Sequence, residues 1–139
     1  MKSKIILITT LLLLLSLETV LSQNKNCSLS IKISNIKSNK GEIALRLTSS
    51  TEDVAIGRIA GIYDEACVIK IDSLCSGIYS ISYFHDENSN DKLDTNWMGI
   101  PAEGYGFSNN AHSKFGSPSI KEREFEINGD LEIELSPKY

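Results

Sequence analysis

The sequence predicts an all-β protein, an antiparallel β-sandwich of about seven strands with one long ordered loop. Three observations carry this. Apolar residues alternate with polar ones over several segments of five to eight residues, the period of a strand with one buried face. Turn signals such as Asn39-Lys40-Gly41 and Asn128-Gly129 separate those segments. Between residues 86 and 119 neither period is sustained, and Gly99, Pro101, Gly104, Gly106, Gly116 and Pro118 interrupt any long helix or strand.

Taken in order, Leu29, Ile31 and Ile33 alternate with Ser30, Lys32 and Ser34, and Ile43, Leu45 and Leu47 alternate with Glu42, Ala44 and Arg46. With the Asn-Lys-Gly turn between them, the two segments read as a hairpin. Ser49 to Glu52 reads as a loop, and Val54 to Ile62 as a short strand or one helical turn, since Gly57 and Gly61 make it irregular. Ala66 to Ile71 is a third strand. After a turn over Asp72 to Gly77, Ile78 to Phe84 is apolar on both faces, the mark of a central strand. Lys121 to Ile127 and Leu131 to Leu135 form a terminal hairpin across Asn128-Gly129, a strong type I′ turn signal. The connection between the central strand and that hairpin is too long, and with Trp97, Tyr105, Phe107 and Phe115 too aromatic, for a solvated linker.

The chain opens Met-Lys-Ser-Lys, is almost wholly apolar from Ile5 to Leu17, and leaves through Val20-Leu21-Ser22. A charged start, a short apolar middle and a small-residue exit predict a secretory signal peptide over residues 1–22. A single domain over residues 23–139 then carries the function, exported to the periplasm or outside the cell. Thirteen apolar-rich positions fall short of the ~20 a membrane span needs, so no transmembrane segment is expected after removal. The leader takes Lys2, Lys4 and Glu18 with it, moving the formal charge from −4 to −5. An acidic chain without a Lys/Arg cluster argues against nucleic acid and against anionic membrane surfaces; the expected partner is an unknown protein or glycan in the envelope or outside the cell. Cys27, Cys67 and Cys75 all lie in the exported part, where disulfides persist. Cys67 with Cys75 is the favoured pair, on the expectation that the turn holding Cys75 folds back on the preceding strand.

Asp86, Asn88, Asn90 and Asp94 stand at positions 1, 3, 5 and 9 of a loop, and Lys92 at position 7 offers its main-chain carbonyl. Ca²⁺ takes six to eight oxygens, and a coiling backbone turns every second side chain toward one centre, the order of an EF-hand-type loop. Position 6 is Asp91 where a glycine is usual, and position 12 is Trp97 where a bidentate Glu is usual, leaving Glu87 or Glu103 to substitute. With two carboxylates in the ligand set, affinity on the order of 10⁻⁴ to 10⁻³ M is expected. The same residue types also make ion-free Asx turns.

Gly77-Ile78-Tyr79, Tyr83-Phe84-His85-Asp86-Glu87-Asn88, Leu93-Asp94-Thr95-Asn96, Gly99-Ile100-Pro101 and Glu103-Gly104-Tyr105-Gly106-Phe107-Ser108-Asn109-Asn110 together resemble a bacterial exported family known as domain-of-unknown-function family 2141. The resemblance extends through Phe115-Gly116-Ser117-Pro118-Ser119 to the chain's end. It implies a transthyretin- or prealbumin-like sandwich whose acidic loop is similar to calcium loops of bacterial surface repeats, and it brings no activity. The family usually has Gly where this chain has Asp91.

Two other chemistries are weighed. His85 and His112, with Asp86 and Ser108 or Ser113, are the parts of a small hydrolase or sugar-processing enzyme, but no Gly-x-Ser-x-Gly context surrounds either serine. Gly104-Tyr105-Gly106-Phe107 offers a candidate ligand shelf, Tyr105 and Phe107 stacking on a sugar or peptide, against the plainer expectation that both aromatics plug the sandwich. A carrier of an apolar ligand between the sheets is a third alternative. The expected function is a non-enzymatic exported module, its loop ordered by weakly bound Ca²⁺, serving binding or envelope architecture.

Overall fold

A computed structural model describes residues 26–114 and 116–139; the leader assigned to residues 1–22 lies outside the described residues. The strands are β1 (Cys27–Ile33), β2 (Glu42–Ser49), β3 (Ala55–Gly61), β4 (Cys67–Leu74), β5 (Gly77–Asp86), β6 (Tyr105–Phe107), β7 (Phe125–Ile127) and β8 (Leu131–Leu135). A 3-10 turn, Ser108–Asn110, and one short helix, α1 (Ile120–Arg123), complete the elements. The all-β expectation holds. One sheet has the order β4-β1-β8, and the other runs β3-β2-β5-β6 with β7 also paired to β5.

The alternation read from the sequence decides what lies between the sheets. Leu29, Ile31 and Ile33 of β1 face Ile43, Leu45 and Leu47 of β2 and Tyr79, Ile81 and Tyr83 of β5 across one shared core. At about 25 cal/mol per Å² of apolar area removed from water, this burial is the main favourable term of the fold. β5 is the central strand expected, bonded to β2 along one side and to β6 and β7 along the other. Residues 55–61 form a full strand against β2, not a helical turn.

Two predicted hairpins are not hairpins. β1 pairs with β4 and β8, whereas β2 pairs with β3 and β5, so the 34–41 connection crosses from one sheet to the other. Asn35 at φ +59° bends the chain there, and buried Ile36 fills the crossing. Likewise β7 joins β5 while β8 joins β1, in parallel. A type I′ turn needs positive φ at both central residues. Only Gly129 has it, at +137°, and Asn128 does not. Alternation marks which face of a strand is buried; either sheet satisfies it.

Lys121 to Arg123, read as strand, are helical. Ser119 caps them, its side chain accepting from the Glu122 N–H while the Glu122 carboxylate accepts from the Ser119 N–H, a reciprocal capping box.

Candidate functional site

β5 ends at Asp86, and rigid ladder backbone delivers this carboxylate into the loop at 1% exposure. Its two oxygens accept the N–H groups of Asn90, at 3.0 Å, and Asp91, at 2.7 Å. To aim consecutive amides at one carboxylate the chain must coil tightly, and it does so with Ser89 at φ +56° and Asp91 at φ +63°. The left-handed turn expected of a glycine at position 6 is thus made by Asp91, a residue type that tolerates this region better than most. Asn88 and Asn90 both donate their amide N–H to the Asp94 carboxylate, at 2.7 and 3.2 Å, and Asn90 Oδ1 accepts from Lys92 N–H. Asn88, Asn90 and Asp94 of the predicted set therefore converge, with Asp86 at the head of the coil.

Two further carboxylates belong to the site. Glu103, 5% exposed, accepts the Glu87 N–H on one oxygen and the Asp94 N–H on the other, both at 2.9 Å, and so closes the loop. Expected as a substitute ligand, Glu103 instead has both oxygens on backbone amides. Glu42 was missed. It is the cross-strand partner of Asp86, and carboxylate oxygens of Glu42, Asp86 and Asp91 lie within 4.8 Å of one another. No local pattern announces Glu42, because the pairing of β2 with β5 spans some forty residues.

Beyond Asp94 the loop is a small hairpin closed by Ala102 N–H to Asp94 O and by a Thr95–Pro101 bridge. Asn96 Oδ1 accepts the Met98 and Ile100 amides and shapes its tip. Trp97, expected to pack, stands 93% exposed there, beside exposed Met98 and Ile100.

His85 is completely buried and both ring nitrogens are engaged, Nε2 with Lys40 O at 2.6 Å and Nδ1 with the Tyr139 hydroxyl at 2.9 Å. Because a carbonyl only accepts, Nε2 carries a proton and donates to Lys40 O, while Nδ1 and the Tyr139 hydroxyl share the second bond. Tyr139 in turn accepts the Lys37 N–H, so this network stitches residues 37–40 to the end of β5. His112 is exposed and bonds Asn110 O through Nδ1. A hydrolytic base needs a free nitrogen at a surface, which His85 lacks.

Tyr105 and Phe107 do not plug the sandwich. Gly106 between them abuts the buried Tyr83 ring, leaving no room for a Cβ, so the flanking aromatics point to the outer face of the five-stranded sheet. There they meet edge to face, ring centroids 6.2 Å apart, and the Arg123 guanidinium lies 5.0 Å over Phe107. Beside them Thr48, Ser49, Ser50, Ser80 and Ser82 line an open cleft of about 350 Å³ with Arg123 and Glu124.

The Cys67–Cys75 pairing is overturned. Cys67 begins β4 and Cys75 follows its last residue, so eight extended steps of ~3.3 Å hold them roughly 26 Å apart. A disulfide tolerates about 7 Å between Cα atoms. Burial pushes the Cys67 thiol up to about 11, against a smaller opposing effect of a backbone hydrogen bond with Ile33.

A two-sheet β-protein with a coiled acidic loop at the end of its central strand is the class these features define. Residues 31–134 match the family model described as "Uncharacterized protein conserved in bacteria (DUF2141)", and the chain belongs to that family. No curated protein and no solved structure matches it. Among the described residues, no helix is long and apolar enough to cross a membrane.

Proposed function

We propose that the chain is an exported, non-catalytic β-sandwich module whose loop, residues 86–103, takes up Ca²⁺ and is stiffened by it for binding or envelope architecture. The observation that carries this reading is the coil at Asp86. A nearly inaccessible carboxylate pinned to two consecutive amides, with the left-handed residue at position 6, is the backbone of the first half of an EF-hand-type loop. Asp86, Asn88, Asn90 and Asp94 then supply side-chain oxygens and Lys92 its carbonyl. The two asparagine amides turn their oxygens inward when a cation replaces the Asp94 contacts they now make. The outer-face aromatics Tyr105 and Phe107, next to a hydroxyl-lined cleft, are the surface best suited to a glycan or protein partner.

Calorimetric titration and thermal melts of the full chain, in EDTA and in millimolar CaCl₂, test the ion. With Ca²⁺ ten times above a millimolar Kd, mass action adds about 1.4 kcal/mol to the folded state, several degrees in melting temperature. Absence of both heat and a melting shift would remove the ion from this reading.

A further inference from the structure

We propose that Cys27 and Cys75 form a disulfide that ties the start of β1 to the turn between β4 and β5, while Cys67 stays a buried thiol. The ladder carries the pairing. β1 and β4 run antiparallel with Cys27 opposite Leu74 and Ile33 opposite Cys67, so Cys67 lies at the far end from both other cysteines. Paired Cα atoms in such a ladder are about 4.5–5.5 Å apart and the next Cα along the chain is ~3.8 Å on. Cys75 is therefore roughly 6 Å from Cys27, inside the window of about 4.4–6.8 Å for a disulfide. The Cys27 sulfur also lies 3.7 Å from Ser76 Oγ, so it touches the residue after Cys75 while its backbone pairs with the residue before it.

The ladder is irregular at this end. Register shifts between Cys27 and Leu29, and Ser73 has φ +62°. Cys75 itself lies past the last residue of β4, in the turn to β5, where strict strand alternation no longer turns it away from Cys27. The Tyr79 hydroxyl donates to Cys75 O at 2.8 Å and fixes the turn.

Closure removes one proton and one electron from each thiol as the Sγ–Sγ bond forms. A disulfide-bearing oxidant, protein or glutathione, receives them and becomes two thiols. The pairing rests on the register, and only the supply of oxidant in the cell rests on the export reading. The test separates the two. Full chain purified under reductant is equilibrated in a glutathione redox buffer, quenched in acid, alkylated unfolded and mapped by mass spectrometry without reduction. The expected result is a linked 27–75 peptide 2 Da lighter than its parts, with alkylation at Cys67 alone, retained in Cys67→Ala and lost in Cys75→Ala. Linkage through Cys67, or alkylation of all three cysteines, overturns the proposal. A chain that closes the 27–75 link in buffer but is fully reduced when the producing cells are quenched in acid and alkylated before any reductant is added supports the pairing and removes the export reading instead.

Discussion

Gly41 packs its α-carbon against the main chain of Asp86, so closely that a Cβ at position 41 would sit 1.9 Å from the Asp86 carbonyl oxygen. Its φ of +72° is a second reason for glycine there. The crossing between the two sheets therefore ends directly on the residue that heads the acidic loop. Gly41→Ala adds both a left-handed alanine and a clash that backbone alone can relieve, and it is expected to cost about 3 kcal/mol or more. Urea unfolding measures the loss. A variant within 1 kcal/mol of the parent would show that β2 and β5 do not meet as described.

Glu103 offers a test of how the loop is closed. Each of its oxygens accepts one amide, and hydrogen bonds to a charged acceptor contribute about 1.5–3 kcal/mol each. Glu103→Ala is expected to destabilise by about 3 kcal/mol or more. Glu103→Gln keeps one acceptor and turns an NH₂ toward the other amide, so it should lose about one bond's worth. Hydrogen exchange adds a local readout: in Glu103→Ala the Glu87 and Asp94 amides should exchange far faster, with the β1–β4 ladder amides little changed.

Local features of this fold are legible in the sequence and long-range ones are not. The inward set Leu29, Ile31 and Ile33 follows from a period of two that the chain carries within seven residues. The left-handed turn at Asp91 follows from its place in a spaced run of Asp and Asn. By contrast, nothing within β1 says that its neighbours are β4 and β8, because the same alternation buries a face in either sheet. That one ambiguity accounts for both false hairpins and for the missed Glu42, whereas the wrong cysteine pair came from β4 running on to Leu74, past the expected turn at Asp72. β6 escaped notice because it has only three residues, and its middle one is a glycine that makes room for the Tyr83 ring from another strand.

Alkaline pH should weaken the fold through the core itself. Burial raises Cys67 to about 11, and burial, then Tyr139 and Cys67, raise Tyr83, whose buried hydroxyl has no hydrogen-bond partner among the described residues. A group that holds its proton more tightly when folded contributes stability that is complete below its unfolded pKa, near 9 for a thiol. That contribution is lost as pH rises through the folded value. Urea unfolding at pH 8 and pH 10.5 should show a fall to which Cys67 contributes on the order of 1 kcal/mol. In Cys67→Ala the curve starts lower because a cavity is made, but its slope with pH is shallower. An unchanged slope would mean that the thiol is not shielded at the β1–β4 ladder end.

Asp91 distinguishes two places where Ca²⁺ can sit, both of which share Asp86. In the coil formed by Asp86, Asn88, Asn90 and Asp94, Asp91 contributes only its left-handed backbone, which glycine adopts more readily. Asp91→Gly should then stabilise the calcium-free chain by about 0.5–1 kcal/mol and keep the calcium-dependent rise in melting temperature. Asp94→Asn should diminish that rise. If the ion is held instead by the carboxylates of Glu42, Asp86 and Asp91, gathered within 4.8 Å, the pattern inverts. Asp91→Gly and Glu42→Gln would then abolish the rise and Asp94→Asn would spare it. The coil is the expected answer, because its oxygens come from a single short segment that a bound cation can draw together. The trio is already gathered within 4.8 Å, but it joins β2 to the loop and offers three liganding residues against the coil's five. Melting temperatures of the three variants, each in EDTA and in CaCl₂, decide between them.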